Sequence, residues 1–461
     1  MSETKFRGLD LSSLLQMRTE QLSRRDVHKG SHSFRSLGKV KRVIGDMIEA
    51  SAPNISIGSF AQINGCLCEV VGFQEKTALI MALDILKQVR QGDSVLYLNN
   101  PVSIPVGSAF LGRVIDPLGR PIDGLPAPIA QGHRPLYGQA PNPMKRAKIE
   151  HALESGVRVI DGMLTLGQGQ RIAIMAGSGV GKSTLMGVLA RNSDADVNVI
   201  ALVGERGREV REFIDNDLQE EGLRRSVVVV STSDVSPAMQ IKGVFAAMSV
   251  AEHFRDQGKK VLVMTDSLTR LAMAQRQIGL SAGEPPATKG YPPSVFTLLP
   301  RLLERGGCGE EADGSSGSIT TVSTVLIEAD DINDPIGDTV RSIVDGHIVL
   351  SRRLVGFGHY PPVDVLQSLS RTMPMTVNEE HLESAVRVRR ILAVYEENEE
   401  LIRLGAYKRG SDPDVDLAIS LKPEIDQFLR QDRGDSQTFA DTQSQINGLS
   451  EKIKSRSRTR K

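Results

Sequence analysis

Apolar positions recur along the 461-residue chain with different periods, and the changes of period divide it into regions. Between residue 38 and about residue 102, short β-type runs are interrupted by Gly, Asn and Asp. Several strands at such close spacing indicate a small β-barrel. We predict its strands at 40–44, 60–63, 68–73, 77–83 and 94–98.

A second stretch, from about residue 150 to residue 372, alternates β-type runs with helical patterns. The β-type runs are near-continuous in Val and Ile, which is typical of strands buried on both faces of a parallel sheet. We predict these strands at 172–176, 197–203, 226–230, 260–265, 319–327 and 347–351.

The remainder of the chain, from Asn378, has a helical pattern. One face of its first long helix is expected to carry Leu382, Val386, Leu392 and Tyr395. The predicted fold class is therefore α/β, with an N-terminal β-barrel, a central core of mostly parallel sheet and a C-terminal helical domain.

Domain boundaries follow from these changes and from a proline-rich connector, because residues 117–143 hold seven of the 22 prolines. We expect an N-terminal arm at 1–35, the barrel at 36–103, the core at 104–375 and the helical domain at 376–461. Within the arm, leucines 11, 14, 15 and 22 have helical spacing. The arm is predicted to bind a partner or a membrane surface, or alternatively to fold back onto its own protein.

Charge and composition restrict the ligands and the cellular location that we expect for the chain. Lys plus Arg and Asp plus Glu both total 56, so no global field attracts the chain to nucleic acid. The ends are basic, which is typical of docking to acidic partners or lipid, or of solvated termini. Three cysteines give no disulfide framework, and the longest apolar run, 78–83, is far too short to cross a membrane. We expect a cytoplasmic protein that does not bind nucleic acid.

The most specific motif lies between an apolar run, 172–175, and a helical segment, 185–190. Strand, glycine-rich loop and helix form the context of a P-loop, in which backbone N–H groups and the helix N-terminus bind phosphates. An ordinary glycine-rich turn is the alternative, and the first position is Ala where the strict pattern has Gly. The candidate nucleotide-binding residues are Ala176, Gly177, Ser178, Gly179, Val180, Gly181, Lys182, Ser183 and Thr184. Lys182 can reach the β/γ-phosphates, and the Ser183 hydroxyl can bind Mg²⁺.

Two carboxylates follow buried strands of the same predicted sheet. Asp266 ends the run 261–265, as in a Walker-B strand, where it can orient Mg²⁺-bound water. Glu205 follows the run 199–203 and is the candidate to polarise the attacking water. For Glu205 the alternative is a surface salt-bridge cluster, because Arg206, Arg208 and Glu209 are its neighbours.

Longer motifs resemble one family. The segments 204–210, 283–296, 330–335, 345–352 and 358–364 look like the ATPases of type III protein export, flagellar and injectisome, which are related to the rotary F-type and V-type catalytic subunits. The resemblance extends from about residue 38 to the C-terminus, and the family's alanine variant of the P-loop accounts for Ala176.

This resemblance implies a RecA-like P-loop ATPase core and a set of site residues. Glu205 resembles the catalytic glutamate with Arg206 beside it, Asp266 the Walker-B aspartate and Arg270 an active-site arginine. Arg371 resembles an arginine finger that reaches the neighbouring subunit's nucleotide. Tyr360 resembles the ring that stacks on adenine, and Tyr407 is a candidate for the far side of that pocket, with core packing as the alternative.

The resemblance also implies ATP and Mg²⁺ as cofactors and a homohexameric ring. The expected partners are a regulatory stator protein, a central stalk protein, export chaperone–substrate complexes and a membrane export gate, with peripheral association at the inner face of the cytoplasmic membrane. A flagellar export ATPase is the favoured reading. The alternatives are an injectisome ATPase, a rotary ATP synthase catalytic subunit, which segment 283–296 disfavours, a non-catalytic nucleotide-binding ring subunit and an RNA-loading ring.

Overall fold

The N-terminal strands close into a barrel of six strands. This computed structural model describes residues 35–51, 54–84, 88–98, 102–310, 316–327 and 334–458. The predictions for the arm up to residue 34 and for the motif residues 330–333 lie outside the described residues. The barrel strands are β1 (Arg35–Ile44), β2 (Met47–Ser51), β3 (Phe60–Ile63), β4 (Cys66–Gln74), β5 (Thr77–Ala82) and β6 (Ser94–Leu98), in the order β1-β2-β5-β4-β3-β6.

The sequence reasoning predicted five of these strands and missed β2. This strand follows β1 after a two-residue turn, in which Gly45 has a φ of 54°, and Ile44 pairs with Met47. Its sequence, Met-Ile-Glu-Ala-Ser, holds a single β-branched residue and so lacks a strand signature. The interior of the barrel is filled by buried apolar side chains, among them Ile48, Ile63 and Ile80.

The connector after the barrel contributes strands to two sheets. Strand β7 (Ser103–Val106) pairs with β9 (Gly132–Pro135), while β8 (Arg113–Ile115) joins the edge of the central sheet beside β14 (Ser226–Ser231). Asp123 accepts two hydrogen bonds from the Arg113 guanidinium, at 2.7 and 2.9 Å, which fixes the connector against that edge strand.

The central sheet has nine strands and is parallel except at two places. A separate pair, β10 (Ala152–Leu153) and β11 (Leu166–Gly167), precedes it. Besides β8, its strands are β12 (Arg171–Ala176), β13 (Val197–Val203), β14 (Ser226–Ser231), β15 (Lys260–Asp266), β16 (Gly307–Cys308), β17 (Ser318–Leu326), β18 (Gly346–Leu350) and β19 (Val363–Ser370). Their order is β19-β18-β12-β17-β15-β13-β14-β8, with the short β16 on β17; β18–β19 and β16–β17 are the antiparallel pairs.

Helices cover both faces of this sheet, as expected for long Val- and Ile-rich parallel strands. Those of the core are Arg158–Met163, Lys182–Asn192, Gly207–Glu212, Gln219–Arg224, Pro237–Arg255, Leu268–Ser281, Pro293–Leu303, Pro335–Ile343, Arg352–Gly356 and Met373–Thr376. A π-helical segment, Phe213–Leu218, joins two of them, and short 3₁₀ turns lie at Ser108–Phe110 and Thr288–Gly290.

The C-terminal helical domain contains Glu379–Arg403, Pro413–Leu429 and Phe439–Arg458. The fold class is therefore confirmed. The predicted apolar face of the first helix is wrong at Val386, which is 60% exposed, because the buried face turns through Ala385, Val388 and Ile391 instead.

The barrel is joined to the core by a buried ion pair. Lys242 Nζ lies 2.5 Å from Glu69 Oε1, and the Lys242 side chain is fully buried. Its ammonium also lies over the rings of Phe60 and Tyr137, at 5.6 and 5.4 Å from the ring centroids. Removing one partner of such a pair leaves an uncompensated buried charge, at a cost of about 3–5 kcal/mol. Among the described residues, no helix is long and apolar enough to cross a membrane.

Candidate functional site

The glycine-rich loop joins β12, in the middle of the sheet, to the helix Lys182–Asn192. Gly179 and Gly181 have φ values of 76° and 93°, a region that side-chain-bearing residues rarely adopt. The loop therefore folds back over the helix N-terminus, whose free N–H groups form an anion site.

A cavity of about 510 Å³ opens over this loop, and we call it the phosphate cavity. Of the predicted P-loop residues, seven line it: Gly177, Ser178, Gly179, Gly181, Lys182, Ser183 and Thr184. Ala176 and Val180 are buried in the apolar core beneath the loop instead. These two side chains hold the loop against the sheet and leave the cavity to backbone, hydroxyl and ammonium groups.

Lys182, Asp266 and Glu205 meet at the floor of the phosphate cavity. Lys182 Nζ donates to Asp266 Oδ1 at 2.5 Å and lies 3.8 Å from Glu205 Oε1. They converge because β12, β13 and β15 are parallel members of one sheet, so their carboxyl ends lie at the same edge. The side chains are 12%, 6% and 15% exposed, so these charges interact with little screening from water.

Asp266 is held in place by a residue that the sequence reasoning missed. The Thr324 hydroxyl on β17 donates to Asp266 Oδ1 at 2.8 Å. Both residues are buried. Thr324 lies inside a run of Ser, Thr and Val whose pattern indicates only a buried strand. Its partner depends on the parallel register of β15 and β17, which no local signal reveals.

Glu205 has a perturbed carboxyl group. Its pKa is raised to about 7, chiefly by burial and also by the Asp266 carboxylate, while the Lys182 ammonium acts in the opposite direction. A hydrogen bond with Glu209 also favours the protonated Glu205 carboxyl, while accepting that bond lowers the pKa of Glu209. A carboxyl group that titrates near neutral pH is suited to exchange a proton with water.

With Glu205 as the predicted base, we expect kcat/KM for ATP to fall about tenfold per pH unit as the pH decreases below about 7, because only an ionised carboxylate can accept a proton. The measurement is a pH profile of kcat/KM between pH 5.5 and 9. The residual activity of Glu205→Gln should lack this inflection, and an identical inflection in that variant would assign the titration to another group.

The two arginines predicted at the site are placed differently. Arg206 lies at the mouth of the phosphate cavity, where its side chain is 82% exposed and 3.9 Å from Glu209. Arg270 lines the same cavity from the helix Leu268–Ser281, and its Nε is buried without a hydrogen-bond partner among the described residues. A Cβ on Gly204 would lie 3.0 Å from Arg270 Cβ, so that glycine allows the arginine stem to pass.

The π-helical segment Phe213–Leu218 is a second feature that the sequence reasoning missed. It packs on the P-loop helix at Gly187, where an added Cβ would lie 2.5 Å from the backbone oxygen of Asp217. Asp217 thereby reaches the phosphate cavity. Single π-helical turns inside α-helices occur frequently at functional sites.

Tyr360 lies beside the P-loop helix in an apolar slot, and we call this the Tyr360 slot. Its walls are Val157, Gly181, Thr184, Leu185, Val188, Tyr360, Pro361, Pro362, Gln431, Asp432 and Arg433. The Tyr360 side chain is 49% exposed and shares the slot with residues that also contact the phosphate cavity, Gly181 and Thr184. The slot is thus continuous with the phosphate-binding loop.

Tyr407 does not belong to this slot. Its hydroxyl lies 2.8 Å from the Asp412 carbonyl oxygen and 3.2 Å from Asp416 Oδ1, two acceptors that share its single proton, and it accepts from the Asp412 N–H. The ring therefore braces the turn before the helix Pro413–Leu429. The far wall of the slot is formed by Gln431, Asp432 and Arg433.

Arg371 lies at the amino-terminal end of the parallel strands, whereas the phosphate cavity lies at their carboxyl end. Its N–H donates to the Asp345 carbonyl, and the Asp345 N–H donates to the carbonyl of Arg171, the first residue of β12. The P-loop begins at the other end of that six-residue strand, roughly 17–20 Å away at the rise of a β-strand. Arg371 is exposed and does not line the phosphate cavity.

The sequence of the chain matches two protein families and several known proteins. The profile of the ATP synthase alpha/beta family nucleotide-binding domain matches residues 156–370, and that of the T3SS EscN ATPase C-terminal domain matches residues 377–448. The flagellum-specific ATP synthase of Bacillus subtilis is 50% identical over 422 residues, covering 90% of this chain and 95% of that protein. The type 3 secretion system ATPase of Xanthomonas euvesicatoria is 49% identical over 403 residues, covering 86% and 90%.

A solved structure extends the likeness to three dimensions. The assembled ATPase EscN of the enteropathogenic Escherichia coli type III secretion system has a TM-score of 0.83 and 43% identity, covering 90% of this chain and all of that one. A second structure shows EscN in complex with its central stalk EscO, with a TM-score of 0.82. This chain is a nucleotide-binding ATPase, and it belongs to the family of flagellum-specific and type III secretion ATPases.

Proposed function

We propose that the chain hydrolyses Mg²⁺-ATP at sites shared between neighbouring copies in a homohexameric ring, and that this hydrolysis energises type III export of flagellar proteins. The shared site is supported by the position of Arg371, which lies at the amino-terminal end of the parallel strands while the P-loop lies at their carboxyl end. An arginine side chain cannot span a strand's length to the nucleotide of its own copy. A head-to-tail contact between copies brings this amino-terminal end to the next copy's cavity and closes into a ring.

The residues of the phosphate cavity are assigned roles that follow from their chemistry. The loop N–H groups and Lys182 bind the phosphates, while Glu205 orients and deprotonates the attacking water. Ser183 and Asp266 offer a hydroxyl and a carboxylate oxygen, the donor type that Mg²⁺ prefers together with water and phosphate. When bound, the ion neutralises charge that develops on the phosphates. Arg206, Arg270 and Arg371 add positive charge around the transferred group.

Tyr360 is proposed to stack on the base, because its slot is continuous with the P-loop through Gly181 and Thr184. Tyr407 is proposed to support the C-terminal domain, since its hydroxyl is engaged by Asp412 and Asp416.

The proposed partners follow from the family. A central stalk protein in the ring is supported by the complex of EscN with its central stalk EscO. A regulatory stator protein, export chaperone–substrate complexes and a membrane export gate complete the set. We place the ring in the cytoplasm, peripheral to the inner face of the membrane, with the N-terminal arm as a docking segment.

The alternative function within the family is injectisome secretion, and the 49% identity to the Xanthomonas protein favours it almost as strongly. The flagellar assignment is supported by relatives of that name in Bacillus subtilis and, at 47% identity, Treponema pallidum. A non-catalytic nucleotide-binding subunit, a different class, is disfavoured because Glu205 occupies the position of the base beside Lys182.

Complementation separates these functions. We expect the chain to restore swimming to Bacillus subtilis lacking its own flagellum-specific ATP synthase, and Lys182→Ala, made at the same level, to fail. The control is Xanthomonas euvesicatoria lacking its type 3 secretion system ATPase, in which secretion should stay at background. Restored secretion without restored swimming would overturn the flagellar assignment in favour of the injectisome.

A further inference from the structure

The segment that closes the Tyr360 slot is held by one buried glutamine. Gln431 is 9% exposed, and every polar atom of its side chain has a partner. Its Oε1 accepts from the Arg158 N–H at 2.7 Å, and its Nε2 donates to the carbonyls of Gly156 at 2.8 Å and Asp435 at 2.9 Å. This one side chain thus ties the distant loop 156–158 to its own turn, 431–435.

The backbone of the same residue reaches the tyrosine of the slot. The Gln431 N–H donates to the Tyr360 carbonyl at 2.9 Å. On either side, Arg430 Nε lies 3.4 Å from His359 Nδ1, and Arg191 of the P-loop helix donates to the Arg433 carbonyl at 3.4 Å. The position of Tyr360 is therefore coupled to the turn that follows the helix Pro413–Leu429.

Gly156, whose carbonyl accepts a hydrogen bond from the Gln431 amide, is tightly packed. Gly156 has a φ of 70°, and an added Cβ would lie 2.6 Å from Asn192 Cβ at the end of the P-loop helix. The loop that receives the Gln431 amide is thus packed directly on the helix whose first residue is Lys182. The glutamine fixes the two walls of the slot relative to the phosphate-binding helix.

We propose that Gln431 is a positioning residue for recognition of the nucleotide base: it holds Tyr360 and the turn 431–433 at the separation that a purine ring requires. It does not touch the phosphates, and it acts through the walls of the slot. The inference rests on the proposed binding of the base beside Tyr360. It assigns part of the affinity for ATP to the C-terminal domain, which contributes this wall.

The test compares a ligand with a base and a ligand without one. In Gln431→Met, similar in size but without the three side-chain hydrogen bonds, we expect KM for Mg²⁺-ATP to rise about tenfold with kcat within about twofold, as for loss of binding made equally in ground and transition states. The inhibition constant of inorganic tripolyphosphate, which has no base, should change less than about twofold.

Two further variants separate positioning from general destabilisation. Gln431→Asn keeps both the acceptor and the amide donors on a side chain one methylene shorter, so it should give an intermediate KM and serves if the Met variant does not fold. Asp416→Asn removes a buried carboxylate that accepts from Tyr407 and Gly410 in the same domain, and it should leave the ratio of ATP to tripolyphosphate affinity unchanged.

Parallel weakening of ATP and tripolyphosphate, or no change in either, would overturn the inference. Export plays no part in this assay with purified protein. A negative result here therefore leaves the proposed export function standing, and failed complementation would leave the role of Gln431 standing.

Discussion

Glu205→Gln is expected to lower kcat by at least about 100-fold while nucleotide affinity stays within about threefold of the unchanged protein. The amide keeps the shape of the side chain at the carboxyl end of β13 but cannot accept a proton. The binding groups, the loop N–H donors and Lys182, are untouched by the change. Steady-state hydrolysis and calorimetric titration with ADP measure the two quantities.

The matched control is Glu220→Gln, in the helix Gln219–Arg224, where the carboxylate is 89% exposed and pairs with Arg224 four residues away. An exposed pair of this kind is worth little, so this variant should hydrolyse ATP normally. If Glu205→Gln lost binding and turnover in equal measure, the carboxylate would belong to a structural salt-bridge cluster and another group would have to serve as base.

Arg371→Ala is expected to be nearly inactive, with a loss of about 10³-fold or more, while still binding ATP through its own P-loop. The effect should exceed that of any substitution of an exposed arginine outside the site, such as Arg390→Ala, whose partner is Asp414 at 3.5 Å. Specific activity of the unchanged protein should rise more than linearly with its concentration as copies associate.

The sequence predicts those parts of the site that consist of contiguous residues. The P-loop is one segment, and Glu205 and Asp266 each follow an apolar run, so the rule that parallel strands share a carboxyl edge brings them together. The long motifs that carry the family resemblance are contiguous as well. Family, enzymatic class and fold class are confirmed by the comparisons.

The parts that the sequence does not predict depend on contacts between remote segments. Thr324 supports Asp266 only because β17 lies beside β15, and Gln431 meets Arg158 across 273 residues. The far wall of the Tyr360 slot is formed by residues 431–433 and not by Tyr407, which the family resemblance offered as a candidate beside core packing. No contiguous motif reveals which turn folds back onto the P-loop helix.

Strands at the border of the sheet are also difficult to predict from the sequence. Strand β19 ends at Ser370, directly before Arg371, and runs antiparallel to β18 at the border of a parallel sheet. Its alternating exposed and buried positions give a weaker signal than the buried central strands do. The antiparallel direction of β19 places Arg371 at the end of the parallel strands opposite to the P-loop, the position on which the proposed shared site depends.

The most direct test of the shared site is single-turnover hydrolysis by rings that contain both Arg371→Ala and Lys182→Ala copies. Each variant alone should be inactive, one for want of the arginine and the other for want of the phosphate-binding lysine. In a random equimolar ring, roughly a quarter of the interfaces join an intact P-loop to an intact arginine across a head-to-tail contact. The account predicts that ATP is hydrolysed in mixed rings at a corresponding fraction of sites. Absence of any hydrolysis in rings shown to contain both variants would contradict it.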